Sequence, residues 1–444
     1  MPSRRDFLRA APAVLSAQTR PRPNLLLIIT DQQSHSALSA RGNPWLRTPA
    51  MDSLANAGTS FADAYCTYPV CSPSRSGIFT SRMPHETGVR VNGKSIAAGM
   101  PTMGEHFRGH GYRTFYGGKW HIPKPFGAAQ GFEYIAGGSG LGADMDAPLA
   151  DASVKWLHQA PKNEPFLLVT SFMNPHDICE WIRQHPGHHA YADLDKFPPA
   201  PGNMAVDPHE PDAMQYHRTA GYDKMSEGMG IASQWQRDDV RRYLHGYYRL
   251  VEDVDKQMGR VLAALRETSL DRNTIVAFVS DHGEGMGAHR WVQKAAFWEE
   301  TVHVPLIFSG PGVAHRVDRQ SLASLLDLFP TFCDYAGIPA AKGVQGRSLR
   351  PAIDGVPIDR PYVASEVLYG DQSREGRMIR SRRHKYVRFN NGARPEQFFD
   401  LAFDPGETTN LAASPHHAAR LEEHRAMLQQ WIRQTGDDFR VASY

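Results

Sequence analysis

A chain of 444 residues with 41% hydrophobic and 22% charged residues can bury one large core with a smaller unit attached, and this composition excludes a disordered or fibrous protein. The formal net charge of +2, with no long Lys/Arg block, argues against the electrostatic footprint of a nucleic-acid binder. The four cysteines, Cys66, Cys71, Cys179 and Cys333, lack Cys-x-x-Cys pairing, and so few cannot staple a chain of this length.

The chain opens with Ser3-Arg4-Arg5-Asp6-Phe7-Leu8 and a small, apolar run from Ala10 to Ala17, which resembles a twin-arginine export signal. Residues 1–20 are therefore set outside the fold, and a periplasmic or otherwise exported protein is expected. No apolar run approaches the length of a membrane span. Asn24 to Thr30 is continuously apolar, the pattern of a strand buried on both faces of a parallel sheet, and it runs into Asp31 and Gln32. Helical spacing covers Pro49 to Gly58, and Ser60 to Ala64 leads on to Cys71-Ser72-Pro73-Ser74-Arg75. Pro73 suits the first turn of a helix, where its missing N–H costs nothing, which puts Cys71 at a helix N-terminus.

A helix is predicted over Thr102–Gly109 and a strand over Tyr112–Tyr116, ending in Gly117-Gly118-Lys119-Trp120-His121. Phe166–Phe172 repeats the pattern and runs into Asn174-Pro175-His176-Asp177. From Ile178 to about Asp238 the sequence is rich in Pro, His, Gly and aromatics without sustained periodicity, which reads as a long irregular insertion. Asp239 to Glu267 is a long amphipathic helix carrying Leu244, Tyr248, Val251, Val254, Met258, Val261 and Leu265 on one face. Strands follow over Asn273–Ser280, which runs into Asp281-His282-Gly283-Glu284, and over Val304–Phe308. A helix is predicted within Arg319–Gly337, stopped by Gly337. Short strands over Tyr362–Glu366, Arg377–Arg382, His384–Asn390 and Gln397–Asp400 and a helix over Pro415–Gln434 then read as a small α+β subdomain, 346–444, behind a main domain, 21–345.

Strands alternating with helices imply an α/β fold whose mostly parallel sheet carries its site along the carboxyl edge. Four clusters at strand ends, after Thr30, Tyr116, Phe172 and Ser280, should then converge. They hold carboxylates, histidines and lysine rather than the Ser, Asn and Gly of ordinary loops.

Cys71-x-Pro73-x-Arg75, a pattern that arises by chance in such a chain on the order of one time in a hundred, is followed by Ser76-Gly77 and Thr80-Ser81-Arg82. With Lys119-x-His121, Asn174-Pro175-His176 and the run from Asp400 to Leu411, the chain resembles a type I sulfatase of the alkaline-phosphatase-like superfamily. The resemblance covers nearly all of it from Asn24 onward. It implies a mostly parallel sheet sandwiched by helices and a Cys71 converted to formylglycine by a maturation enzyme. The hydrated aldehyde offers one hydroxyl to attack sulfur and a second whose deprotonation expels sulfate.

On the same resemblance Asp31, Gln32, Asp281 and His282 match the metal ligands, with calcium the leading ion and manganese the alternative. Gln32 stands where many sulfatases carry Asp, and His282 where several carry Asn. Lys119 and Lys294 would neutralise sulfate oxygens, and Arg75 would bind the diol and brace the site. His121 would deprotonate the second hydroxyl, and His176 with Lys294 would protonate the leaving alcohol. Glu284 and His289 lie next to the second metal pair in sequence and are expected at most to support its ligands from behind. The expected substrate is a sulfated small molecule or saccharide. Trp181, Arg183, His185, His188, His189, Tyr191 and Trp235, placed near the mouth by the insertion, would suit sugar faces and further sulfates, or would form a solvated loop. Two other readings stay open: a phosphonate monoester or phosphodiester hydrolase of the same superfamily, whose substrates are also monoanionic, and a binding protein on a degenerate scaffold with unmodified Cys71.

Overall fold

The continuous apolar run at the start of the fold becomes the middle of a sheet because it is packed on both sides. In a computed structural model describing residues 22–123, 130–137, 140–185, 194–220, 224–370 and 373–441, Asn24–Asp31 (β1) is buried along its whole length. Leu25, Leu27 and Ile29 enter one core, and Leu26 and Ile28 the other. Successive side chains point to opposite faces, so two apolar faces demand an unbroken run. Each such side chain stabilises the fold by about 1.5–3 kcal/mol.

The remaining strands of this sheet are Gly58–Tyr65 (β2), Arg113–Gly118 (β3), Glu133–Ala136 (β4), Phe166–Pro175 (β5), Thr274–Ser280 (β6), Leu306–Ser309 (β7) and Arg316–Ser324 (β8). Their order is β4-β3-β5-β1-β6-β7-β2-β8. All neighbours are parallel except β7, which runs antiparallel to β6 and β2. One face is covered by Pro49–Ala57, Gly142–His158 and the second half of Arg237–Glu267, and the other by Cys71–Thr80, Met103–Gly109 and Leu328–Ala336. The expected α/β sheet sandwiched by helices is the observed one.

The small C-terminal unit is an antiparallel sheet of Tyr362–Tyr369 (β9), Arg374–Ser381 (β10), His384–Phe389 (β11) and Glu396–Asp400 (β12), in order β12-β11-β10-β9. Val367, Met378, Val387 and Phe389 join the main core. Ile379, Tyr386 and Phe398 on the other face pack with Leu421, Leu428 and Trp431 of the terminal helix Ala418–Thr435.

Three stretches differ from the sequence reading. The helix expected over Arg319–Gly337 begins only at Leu328. Residues up to Ser324 form β8, and a capping box between Ser324 and Asp327 marks the switch. The insertion expected to be irregular contains helices Ile178–Gln184, Asp212–Thr219 and Lys224–Ala232. These are too short to show periodicity and are held by core contacts of Ile178, Ile182, Ala213 and Met214. Gly142–His158, unanticipated, contains Pro148. The expected export signal, and His188, His189 and Tyr191, lie outside the described residues.

Candidate active site

The carboxyl ends of β1, β3, β5 and β6, neighbours in the order β3-β5-β1-β6, bring the four polar clusters together as the sequence implied. Cys71 meets them as the first residue of the buried helix Cys71–Thr80. Its thiol lies 3.1 Å from Lys294 Nζ, 3.7 Å from Lys119 Nζ, 3.2 Å from His282 Nε2 and 3.5 Å from Asp31 Oδ1. Burial alone would raise this thiol, but the charges of Lys119, Lys294 and His282 overcome it and hold Cys71 well below the usual range. A position that stabilises an anion on residue 71 is one built for a negatively charged group.

Arg75 lies one turn along the helix, fully buried. Its Nε donates to Asp281 Oδ2 at 2.8 Å and its Nη2 to Asp31 Oδ2 at 3.1 Å. Its Nη1 donates to the carbonyl of Lys119 at 2.5 Å and to Ser171 Oγ at 2.8 Å. The guanidinium thus braces all four of these strands, a fork geometry that Lys could not reproduce. Bracing was expected of Arg75. The described residues show no hydrogen bond from it to Cys71.

Because Arg75 and Lys119 occupy the Oδ2 atom of Asp31, the latter at 2.7 Å, and Arg75 that of Asp281, the Oδ1 atoms are left facing His282. His282 Nε2 lies 3.8 Å from Asp31 Oδ1 and 3.7 Å from Asp281 Oδ1. Its Nδ1 lies 2.9 Å from the Gly283 carbonyl, a bond that keeps a proton on Nδ1 and makes Nε2 the nitrogen that could turn a lone pair to a cation; against its burial, Asp281 and Cys71 raise His282 above its usual value. One ligand atom from each of Asp31, Cys71, Asp281 and His282 falls within 4.8 Å of the others. Two carboxylates and an imidazole nitrogen converging in this way fit a divalent cation, which would take the place of the Nε2 proton. Burial and the adjacent Asp31 charge raise Asp281, while Lys119, His176 and Arg75 hold Asp31 low against its own burial.

Gln32, the fourth expected ligand, has its carbonyl oxygen 2.9 Å from Lys294 Nζ and its amide nitrogen 2.6 Å from Glu284 Oε2. Glu284 is wholly buried, and burial pushes it up to about 7. His289 is paired with Asn203 and stacked on Trp298 at 3.7 Å.

Of the two expected proton-transfer histidines, His121 is exposed and carries a positive φ of 60° at the end of the β3 loop. Burial and the Lys119 and Lys294 ammonium groups push His176 down to about 4, so the free site holds it neutral at neutral pH. In the insertion, Trp181 stacks on His185 at 4.2 Å with Arg242 over its ring, and Arg183 pairs with Glu180. Trp235 does not reach the mouth: it is 1% exposed, packed against Trp181 and Tyr243.

Sequence reasoning missed Tyr243 and Tyr247, whose hydroxyls donate to Glu284 Oε1 at 2.6 Å and to the main-chain carbonyl of Gln32 at 2.8 Å. It also missed Asn92, whose Oδ1 accepts from Ser72 N at 3.0 Å. The two tyrosines lie on the apolar face of the long helix, where nothing in the sequence separates a polar contact from packing. Cys179, 3.2 Å from the Gln32 amide nitrogen, is one of four buried cysteines, all unpaired.

The chain matches the family model described as Sulfatase over residues 23–338. Over residues 287–434 it matches a second, described as N-sulphoglucosamine sulphohydrolase, C-terminal. It is 34% identical over 451 residues to a Delta 4,5-hexuronate-2-O-sulfatase of Bacteroides thetaiotaomicron, an alignment covering 96% of this chain and 92% of the relative. Among solved structures it is similar to a 2-O GAG sulfatase, with a TM-score of 0.86, 31% identity and coverage of 95% and 94% of the two chains. It is also similar to the phosphonate monoester hydrolase of Agrobacterium radiobacter, with a TM-score of 0.77, 25% identity and coverage of 93% and 96%.

Proposed function

The chain belongs to the sulfatase family, and on that premise we propose that it is an exported, formylglycine- and metal-dependent sulfatase that releases sulfate from a sulfated saccharide. The observation that carries the reading is the surrounding of Cys71, where two lysines and a helix N-terminus converge on one buried atom. Such a pocket stabilises negative charge as it develops, without reorganising.

Carried as formylglycine, residue 71 would supply a hydrated aldehyde whose two hydroxyls divide attack on sulfur and release of sulfate between them. A divalent cation held by Asp31, Asp281, His282 Nε2 and the Gln32 carbonyl would polarise the sulfate oxygens. Lys119 and Lys294 bind the non-bridging oxygens of a monoanionic ester. Arg75 keeps the two carboxylates in place. His121, at the exposed rim beside residue 71, takes the proton from its second hydroxyl. His176 donates to the departing alcohol, and the negative charge of bound sulfate offsets the lysines that, together with its burial, otherwise keep its ring neutral.

A saccharide substrate is supported by the likeness, over most of the chain, to a Delta 4,5-hexuronate-2-O-sulfatase and to a solved 2-O GAG sulfatase. Likeness to a phosphonate monoester hydrolase supports the competing reading. Sulfate release is to be measured across a panel of sulfated saccharides headed by a 2-O-sulfated unsaturated uronate disaccharide. Aryl sulfate and aryl phosphonate esters are to be compared in parallel. Efficient release from at least one saccharide sulfate is expected. A higher kcat/KM on the phosphonate, with no saccharide turned over, would replace this proposal with the competing one.

A further inference from the structure

The two ends of the Gln32 amide are chemically opposite, and the structure fixes which one faces the pocket. Gln32 is fully buried and follows β1 with a φ of 71°, a conformation that non-glycine residues seldom adopt. Lys294 Nζ, a donor only, lies 2.9 Å from one end of the amide, so that end is the oxygen. At the other end Glu284 Oε2 accepts from the NH2 group at 2.6 Å. Glu284 has no second orientation to offer. Its Oε1 already accepts from Tyr243 OH at 2.6 Å, from Gln293 N at 2.5 Å and from Met286 N at 3.3 Å, which leaves Oε2 for Gln32 alone.

We propose that Glu284 is a positioning residue that sets the amide of Gln32, turning its carbonyl oxygen toward Lys294 and the cation and its NH2 group away from them. Tyr243, on the long helix, holds Glu284 in turn. This deepens the metal-assisted reading above and rests on it. A Gln at a ligand position is ambiguous in a way that Asp is not, because half of its amide repels a cation, so it needs a neighbour that, as the ionised carboxylate, can only accept.

The isosteric change E284Q tests this directly. The three donors on Oε1 oblige the new side chain to keep its carbonyl there, so its NH2 faces Gln32. Two NH2 groups cannot pair. Gln32 must turn over, presenting NH2 to Lys294 and withdrawing its oxygen from the pocket. The double change Q32E/E284Q restores a donor–acceptor pair between the two positions and an oxygen toward the pocket, with the total charge unchanged.

Calcium affinity, titrated calorimetrically on the full-length purified chain, is to be compared among wild type, E284Q and Q32E/E284Q. Melting midpoints of the same proteins and of Q32E are to be taken in excess chelator. We expect E284Q to weaken calcium binding by about tenfold or more, and the swap to recover most of that loss. In chelator each single change should lower the midpoint and the swap should restore it, a coupling that general loosening of the fold would not produce. Calcium binding by E284Q within threefold of wild type, or a swap no better than E284Q on both readouts, would overturn the inference. A chain that shows this calcium cycle yet cleaves no sulfate ester would overturn the proposed reaction and leave the role of Glu284 standing.

Discussion

His176 shows why residue type alone does not assign a role. Its position after β5 marks it for proton transfer, yet burial and two ammonium groups press its value down to about 4, so a free enzyme at neutral pH cannot donate from it. A donor of this kind works only when sulfate has entered. His176→Ala should therefore cost about 10²–10⁴-fold in kcat on a saccharide sulfate, whose alkoxide needs a proton. On 4-nitrophenyl sulfate, whose phenolate leaves unaided, the loss should be tenfold or less. Equal losses on both substrates would assign His176 to binding instead. Residue types at the strand ends were legible in the sequence, since Asp31, Lys119, His176 and Asp281 each follow an apolar run. The amide orientation of Gln32 was not, because it is set by Glu284 and Lys294, more than two hundred positions away, and those two are themselves aligned by the fold.

At the level of elements, apolar runs and helical periodicity were enough to locate β1, β5, β6 and the long helix, whose partners bury them on two faces. Short pieces failed for the opposite reason: Ile178–Gln184 and Asp212–Thr219 owe their shape to what they pack on, which no local pattern carries. The C-terminal sheet is tied to the catalytic unit by buried charge. Lys385 Nζ lies 2.8 Å from Glu299 Oε1 and 2.8 Å from Glu407 Oε1, with the lysine fully buried. Removing one partner of such a pair leaves uncompensated charge. Lys385→Met should destabilise the fold by about 3–5 kcal/mol, read as a lowered urea midpoint. Arg377 and Asp437 close the other end, at 2.6 and 2.9 Å. Burial would raise Asp437, but Arg377 wins and its folded value lies below the usual 3.8. A lowered carboxylate value gives stability that is present above the unfolded value and lost as pH falls through the folded one. The stability gap between wild type and Asp437→Asn should therefore hold from neutral pH down to about 4 and close below it. A gap unchanged to pH 2 would show that the contact is worth nothing electrostatically.

Across the whole molecule, one sheet edge collects groups from segments spread between Asp31 and Lys294, and two buried carboxylates are kept apart there by a single guanidinium. A cation that binds this folded site and not the unfolded chain stabilises by mass action, about 2.7 kcal/mol at a hundredfold excess over Kd. Calcium should thus raise the melting midpoint and excess chelator lower it, and Asp31→Asn should abolish the difference. An unchanged midpoint would remove calcium from the account. The central claim is that this arrangement serves a formylglycine at position 71. Its most direct measurement is the mass of the peptide carrying residue 71, from protein co-expressed with a formylglycine-generating enzyme. That peptide should carry the aldehyde in place of the thiol, and recovery of unmodified cysteine alone would contradict a formylglycine-dependent reaction.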